Sequence, residues 1–262
     1  MTVGMSASAL SLYGRWPSDS SRLVKGLSSP PPCPSPQPKL TQSPVDRTLT
    51  QIKNSGVIAC LRASSAEVAL EASHAAIAGG ISVLEVVMST PGVFEVLRQL
   101  VKEHPAMALG VGTVLRVEDA KTAINAGAKF LMSPAIVKDI MDYVRCCESL
   151  YIPGAMTPTE ILSAYEAGAK IVKVYPVSAL GGVRYISALK KPFAQIPLVA
   201  SQGITIDSIG EYIRQGASSV VLSDAIFDKK AIGQHNFEKI FELAQSAALL
   251  GSNAVNRRKE EL

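Results

Sequence analysis

The stretch EAGAKIVKVYP, residues 166–176, contains the pattern that decides the fold. A helix-like segment ends at Gly168, a basic step follows, and the apolar run that comes next is typical of a buried strand. The same order of helix end, glycine and strand returns at 77–87, 125–134 and 215–223. Glycine suits this place because it can end a helix in the left-handed conformation. The repeat therefore predicts a fold built from a recurring helix–strand unit.

The rest of the chain alternates β-branched runs with longer amphipathic stretches in the same way. The candidate strands are 57–62, 83–89, 108–114, 129–135, 150–156, 170–177, 197–203 and 219–227. Strands this apolar, each followed by a helix, predict a parallel sheet that is covered on its outside. The count predicts an α/β fold of the (β/α)8 TIM-barrel type, with a short helix at 46–54 before the first strand. A doubly wound sheet is the alternative, but no GxGxxG follows the first strand.

The two ends of the chain differ in composition from the predicted barrel, which covers 45–249. Residues 1–44 are rich in Ser and Pro and poor in acids, so we expect this segment to be disordered. Such a composition is typical of an organellar transit peptide, and its Ser/Pro bias favours the chloroplast over the mitochondrion. An ordinary disordered tail on a cytoplasmic protein is the alternative. Residues 250–262 are expected to form a flexible C-terminal tail.

Composition also excludes several classes of function. The net charge is only +4, and no Lys/Arg patch is interleaved with aromatics in the body, which argues against nucleic-acid binding. The apolar runs are broken before the ~18 residues that a membrane span needs. The four cysteines form no CxxC and have no histidine at metal spacing. We therefore predict no nucleic-acid or membrane partner, no metal site and a reducing compartment.

Two charged residues lie inside apolar candidate strands, where an unpaired charge costs several kcal/mol. Glu85 is flanked by Leu84 and Val86, and Lys173 by Val172 and Val174. Each follows the last glycine of its repeat by the same offset, so both are predicted at similar depth. Strand alternation allows both side chains to face the barrel interior. Two structural alternatives stay open: a buried ion pair, or one side chain facing outward between helices.

The functional interpretation of this pair is Schiff-base chemistry. Burial disfavours the charged form of a lysine, so its neutral amine becomes available to attack a carbonyl group. The resulting imine withdraws electrons, and a carboxylate in the same cavity can move the protons. The other polar side chains at the carboxyl ends of the strands are candidates for substrate binding. They are Arg62, Ser89, Thr90, Thr113, Ser133, Thr157, Ser201, Gln202, Ser223 and Asp224.

Over roughly residues 46–247 the chain resembles a known family. The matching segments are GVIACLRA, AGGISVLEV, LGVGTVL, FLMSPAI, YIPGAMTPTEIL, AGAKIVKVYP, GGVRYISALKKPF and LVASQGIT. Taken in order, they resemble the class I 2-keto-3-deoxy-6-phosphogluconate / 4-hydroxy-2-oxoglutarate (KDPG/KHG) aldolases. The resemblance implies a metal-independent lyase of the Entner–Doudoroff type that cleaves a 2-keto-4-hydroxy acid into pyruvate and an aldehyde. It also implies a (β/α)8 barrel, a homotrimer, and no cofactor beyond the covalent imine. With a transit peptide, the chain would be a plant-type member.

The resemblance also assigns roles to residues. Lys173 would form the imine with the keto acid, and Glu85 would be the general acid/base. Thr113 would hold the keto acid, and Ser201 would line the pyruvate pocket in place of a threonine.

Several positions depart from the family pattern. Ser89, followed by Thr90, stands where bacterial members have an arginine that grips the substrate carboxylate, and Arg62 is the expected substitute. In the phosphate-binding part, Gln202-Gly203 replaces Gly-Gly and Ser223-Asp224 replaces Gly-Ser. Gly181 and Gly182, with Arg184, are retained and are expected to contact an anion. The alternatives are a related lyase acting on a non-phosphorylated substrate, or a barrel retained as a silent scaffold.

Overall fold

The computed structural model describes residues 42–260, which form a parallel sheet surrounded by helices. The strands are β1 Val57–Leu61, β2 Val83–Val87, β3 Ala108–Gly112, β4 Phe130–Met132, β5 Leu150–Ile152, β6 Gly154–Ala155, β7 Val172–Val174, β8 Leu198–Ser201 and β9 Ser219–Leu222. The helices are α1 Pro44–Ser55, α2 Ala66–Ala78, α3 Val93–Glu103, α4 Val117–Asn125, α5 Lys138–Val144, α6 Pro158–Glu166, α7 Val183–Lys190, α8 Ile209–Arg214, α9 Lys229–Gly233 and α10 Phe237–Glu260. The predicted transit segment lies outside the described residues, except at its end, where Ser43 caps α1 and Pro44 begins it.

The strand order confirms the predicted (β/α)8 barrel. The nine strands run β5-β4-β3-β2-β1-β9-β8-β7-β6, and all neighbouring strands in this order are parallel. The edge strands β5 and β6 are the two halves of one predicted strand, separated by Pro153. Proline has no backbone N–H and cannot continue a hydrogen-bonded ladder, so the strand divides there. One half pairs with β4 and the other with β7, which closes the barrel.

The repeated glycines have the conformation that the sequence predicts. Gly80, Gly127, Gly168 and Gly216 have φ angles of 99°, 99°, 104° and 106°. Each follows a helix and precedes the next strand of the barrel by a few residues. The left-handed step turns the chain from the helical layer back to the barrel wall, because only glycine enters this region without a steric cost.

The buried side chains form two separate layers. The larger layer packs between the sheet and the outer helices. The smaller one fills the barrel interior with side chains such as Ile58, Phe130, Ile152 and Ile171, and Ile52 of α1 closes it from below. This apolar filling occupies the amino-terminal part of the interior. Polar interior positions are consequently left at the carboxyl ends of the strands, where barrel enzymes place their chemistry.

The predicted flexible tail at 250–262 is wrong for the part that the structure describes. Helix α10 continues to Glu260 because tertiary contacts anchor its last turns. Val255 is 1% exposed, and the Arg258 guanidinium donates to the carbonyl oxygens of Ile213 (3.3 Å) and Ala217 (2.5 Å). Despite its length, α10 is not apolar enough to cross a membrane, and neither is any other helix within 42–260.

Candidate active site

A cavity of about 560 Å³ opens at the carboxyl ends of the strands. Most of the side chains predicted to carry chemistry line it. Those are Lys173, Glu85, Arg62, Thr113, Ser201, Gly203 and Ser223. The cavity floor is the top of the apolar interior, so water reaches these groups from one side only.

Lys173 lies in the middle of β7 with its side chain at the cavity. The residue is only 6% exposed, and Nζ lies 5.3 Å from the centre of the Tyr175 ring. Burial lowers the pKa of Lys173 below the ordinary lysine value, and the charge of Glu85 offsets part of that effect. The site thus favours a neutral, nucleophilic amine more than a solvent-exposed lysine would.

Glu85 reaches the same cavity from β2 and is 3% exposed. Burial raises the pKa of its carboxyl group, while Lys173, the Cys60 thiol and Arg62 act in the opposite direction. Oε1 accepts a hydrogen bond from Cys60 Sγ at 3.6 Å, and Oε2 has no hydrogen-bond partner. The carboxyl group is therefore not locked in a direct ion pair with Lys173. It is free to exchange a proton.

The space for the Glu85 carboxyl group comes from a glycine on the neighbouring strand. A Cβ atom added at Gly112, the last residue of β3, would overlap the carboxylate and lie 2.8 Å from Glu85 Cγ. Real Cβ atoms essentially never approach a heavy atom closer than 3.0 Å. The glycine is consequently a requirement of the site, since any larger residue would displace the carboxyl group.

The rim of the cavity combines one cation with strained backbone. Arg62, just after β1, donates from Nε to Ser89 Oγ at 3.3 Å. Thr113 and Gln202 line the cavity with φ angles of 61° and 87°, in the left-handed region that non-glycine residues seldom adopt. Strain of this kind concentrates where function requires a fixed backbone shape.

The distal wall of the cavity, formed by residues 202–203 and 223–224, carries polar and acidic side chains where the family pattern has Gly-Gly and Gly-Ser. Ser178 Oγ donates to Gln202 Oε1. Asp224 lines the same wall, and its Oδ2 lies 3.1 Å from Lys229 Nζ. Both partners of this ion pair are largely solvent-exposed, so water screens their attraction.

Six predicted binding residues are not among those that line the cavity. Two of them make structural hydrogen bonds: Ser133 Oγ donates to Val114 O at 2.5 Å, and Thr157 Oγ1 caps α6 by accepting from the Glu160 amide at 3.3 Å. Thr90 is 2% exposed, and its Oγ1 accepts a hydrogen bond from the Ala63 amide at 3.3 Å. This contact gives Thr90 a structural role in joining the segments after β1 and β2. Ser89 contributes only through Arg62. Gly181 and Gly182 lie before α7 in the left-handed region and shape that turn.

Cys60 and Tyr175 line the cavity but were not predicted as site residues. The signal for Cys60 is present in the sequence. In β1, Ile58, Cys60 and the following Arg62 alternate onto one face, and this face is the barrel interior. Tyr175 follows Lys173 by two residues, so strand periodicity predicts the same face.

The described residues also include one group of potential metal ligands away from the cavity. His74, Glu103 and His104 place ligand atoms within 4.8 Å of one another. His74 Nε2 already pairs with Glu103 Oε2 at 2.8 Å. None of the three lines the cavity, so this group does not take part in the chemistry there.

Comparison with known proteins agrees with this geometry. The family model described as KDPG and KHG aldolase matches residues 48–243. The 2-dehydro-3-deoxy-phosphogluconate aldolase of Treponema pallidum is 31% identical over 189 residues, which cover 72% of this chain and 90% of that protein.

Solved structures give the same result. A KDPG aldolase from Legionella pneumophila, with pyruvate captured as a covalent carbinolamine intermediate, is 29% identical with a TM-score of 0.71. That alignment covers 79% of this chain and 98% of the other. A cube-shaped protein cage, designed by fusing symmetric oligomeric domains, matches at 25% identity and a TM-score of 0.69, covering 78% and 74% of the two chains. With the barrel, the buried lysine and the facing glutamate, these matches show that the chain belongs to the KDPG and KHG aldolase family.

Proposed function

We propose that this protein cleaves a 2-keto-4-hydroxy acid, such as KDPG or 4-hydroxy-2-oxoglutarate, into pyruvate and an aldehyde through an imine on Lys173. The observation that carries the proposal is the pair in the cavity: a buried lysine whose pKa is lowered and a buried glutamate whose pKa is raised. A neutral amine and a carboxyl group that holds or releases a proton are the two groups that the reaction needs.

Lys173 performs the covalent part of the reaction. Its neutral amine attacks C2 of the keto acid to give a carbinolamine, which loses water to form an iminium ion. The iminium nitrogen then accepts the electron pair of the C3–C4 bond as this bond breaks, which yields an enamine and the aldehyde. Because Lys173 is only 6% exposed, water stabilises its charged form little, which favours the neutral, reactive amine.

Glu85 moves the protons. As a carboxylate it accepts the proton of the C4 hydroxyl group during cleavage, and as a carboxylic acid it returns a proton to C3 of the enamine. It also assists the loss of water from the carbinolamine and the hydrolysis that releases pyruvate. A raised pKa brings the two protonation states closer in free energy near neutral pH, which suits a group that must act in both directions.

Arg62, Thr113 and Ser201 are the groups that we assign to the keto-acid end. Arg62 is the charged donor at the cavity rim, and the Ser89 contact limits its range of orientations. Thr113 and Ser201 line the cavity near the strand ends and offer a hydroxyl group each.

Reductive trapping tests the proposal directly. Incubation with pyruvate and borohydride should attach one reduced pyruvate to Lys173, as read by peptide mass. Lys173→Ala should abolish the adduct and the release of pyruvate. Lys170→Ala is the matched control, since Lys170 lies three residues away but is solvent-exposed and pairs with Asp46 at 2.6 Å. An unmodified Lys173, or activity retained in Lys173→Ala, would refute the mechanism.

A second candidate is the same reaction on a non-phosphorylated substrate, and Asp224 favours it. Its carboxylate stands on the distal wall, where it repels a phosphate dianion. Turnover of phosphorylated and unphosphorylated 2-keto-3-deoxygluconate by the wild type and by Asp224→Ser decides between the two. Preference for the unphosphorylated acid, reversed in Asp224→Ser, supports the second candidate. If the wild type and Asp224→Ser prefer the phosphorylated acid equally, the second candidate is refuted.

We also propose that the protein assembles as a homotrimer. The family resemblance supports this, and so do large apolar side chains that are exposed at the surface, among them Leu115, Met156, Leu162 and Tyr165. Light scattering should give three chain masses. A monomer at micromolar concentration would contradict the proposal.

We propose the chloroplast stroma of a plant cell as the location, on the composition of residues 1–44. A fluorescent protein fused behind this segment should enter plastids of leaf cells. Signal in mitochondria or in the cytoplasm would instead support one of the two alternatives.

A further inference from the structure

Cys60 and Glu85 are direct neighbours across two strands of the barrel. They are Cα partners in the parallel register of β1 and β2, and both side chains face the cavity. Cys60 Sγ lies 3.6 Å from Glu85 Oε1, within the range of a sulfur hydrogen bond. Glu85 Oε2 is buried and has no hydrogen-bond partner. The two oxygens of the carboxyl group are therefore in different environments.

The oxygen that contacts the thiol, Oε1, also lies against the backbone of β3. Gly112 of β3 approaches so closely that a Cβ atom there would overlap the carboxylate. Oε1 thus contacts both a thiol on β1 and bare main chain on β3. A rotation that exchanged the two oxygens would require the thiol contact to break.

The direction of the thiol contact follows from its surroundings. Burial, with a further contribution from the charge of Glu85, raises the pKa of the Cys60 thiol well above its usual value. The thiol consequently keeps its proton and acts as the donor toward Oε1, although S–H is a weak donor.

We propose that Cys60 is a positioning residue for the acid/base: its S–H group holds Oε1 of Glu85 and so fixes the orientation of the carboxyl group at the cavity. The proposal rests on the proposed aldol cleavage. Cys60 forms no bond to the substrate. It acts by limiting the orientations of the carboxyl group.

Within the described residues, three groups act electrostatically on the Glu85 carboxyl group: Lys173 on β7, Arg62 after β1 and the Cys60 thiol. All three favour the ionised form. Removing the thiol proton donor leaves two of them, so the carboxyl group should hold its proton to higher pH. The acidic limb of the rate profile should then move upward.

Cys60→Val, Cys60→Ser and a matched control test this assignment. Valine is similar in size but cannot donate, whereas serine restores a donor. Cys147→Val is the control, because it also removes a thiol donor, here to Tyr143 O at 3.5 Å, but lies outside the cavity. We expect Cys60→Val to lower kcat about tenfold with little change in KM, and to shift the acidic limb upward. Cys60→Ser should recover both, and Cys147→Val should match the wild type.

Two results would overturn the proposal. One is a folded Cys60→Val protein with the kcat and acidic limb of the wild type. The other is a Cys60→Ser protein as impaired as Cys60→Val, since the thiol would then matter only by its volume. If Cys60→Val does not fold, Cys60→Ala against Cys60→Ser supplies the same contrast. Borohydride trapping of pyruvate by the wild type separates this test from the proposed function, because loss of that adduct would reject the aldolase mechanism itself.

Discussion

Replacing Gly112 by alanine is expected to disable the acid/base while leaving the nucleophile in place. The backbone φ of Gly112 lies outside the left-handed region, so alanine adopts it without strain. The added Cβ atom, however, overlaps the Glu85 carboxylate and lies 2.8 Å from its Cγ. The backbone of β2 and β3 is fixed by pairing, so the side chain of Glu85 has to move.

The size of the effect follows from the displacement. Restoring an ordinary Cβ contact requires the carboxyl group to shift by about 1 Å or more, and a misplacement of that size costs roughly 10²-fold in rate. The loss of Glu85 altogether is bounded by about 10²–10⁴-fold, the usual contribution of a general acid/base. We therefore expect kcat of Gly112→Ala to fall on the order of 10²-fold, with a stability cost of about 1–3 kcal/mol from overpacking.

Pyruvate release, coupled to lactate dehydrogenase and followed by NADH absorbance, measures this loss. Thermal unfolding confirms that the variant is folded, and the borohydride adduct should still form on Lys173. Gly210→Ala is the matched control, because it lies in α8 and a Cβ atom there meets no heavy atom within 4 Å. A folded Gly112→Ala enzyme with wild-type kcat would show that the carboxyl group does not occupy this position during catalysis.

The remaining predictions concern the two charged groups and the last helix. Glu85→Gln should lower kcat about 10²–10⁴-fold while still binding the keto acid, as measured by substrate saturation; a loss under threefold contradicts its role. Imine formation needs the neutral amine and burial lowers the pKa of Lys173, so trapping should rise with pH and level off below 10.5; a rise that continues beyond 10.5 contradicts this. Arg258→Met should lower the free energy of unfolding by about 2 kcal/mol in urea titrations, whereas Lys259→Met at the surface should stay within about 0.5 kcal/mol; equal effects contradict the anchoring of α10.

The barrel could be predicted because its information is local. The glycine at each helix end is explained by its positive φ angle, and each apolar strand is explained by the helices that cover the sheet. Glu85 and Lys173 were found because a charge in an apolar strand is conspicuous and because both follow their glycine at the same offset. The structure places both at one cavity, which the offset alone could only suggest.

The features that the sequence did not reveal depend on contacts between distant segments. Helix α10 continues past residue 250 because Val255 is buried and Arg258 binds carbonyl oxygens near α8, and neither partner is adjacent in sequence. Thr90 comes directly after a strand, as site residues of a barrel do, but its hydroxyl oxygen accepts a hydrogen bond from the Ala63 amide. Cys60 was overlooked because a single thiol in an apolar strand looks like a core residue until its register with Glu85 is known.

The division of one strand at Pro153 links the nucleophile to the mechanical integrity of the barrel. The carbonyl oxygen of Pro153 accepts the backbone amide of Lys173 at 2.8 Å, so this hydrogen bond joins β7 to the residue at which the strand divides. Separation of β7 from the divided strand and displacement of Lys173 are then one event. Hydrogen–deuterium exchange at the Lys173 amide should report how often this hydrogen bond opens. A substrate held covalently on the same residue should make the opening rarer.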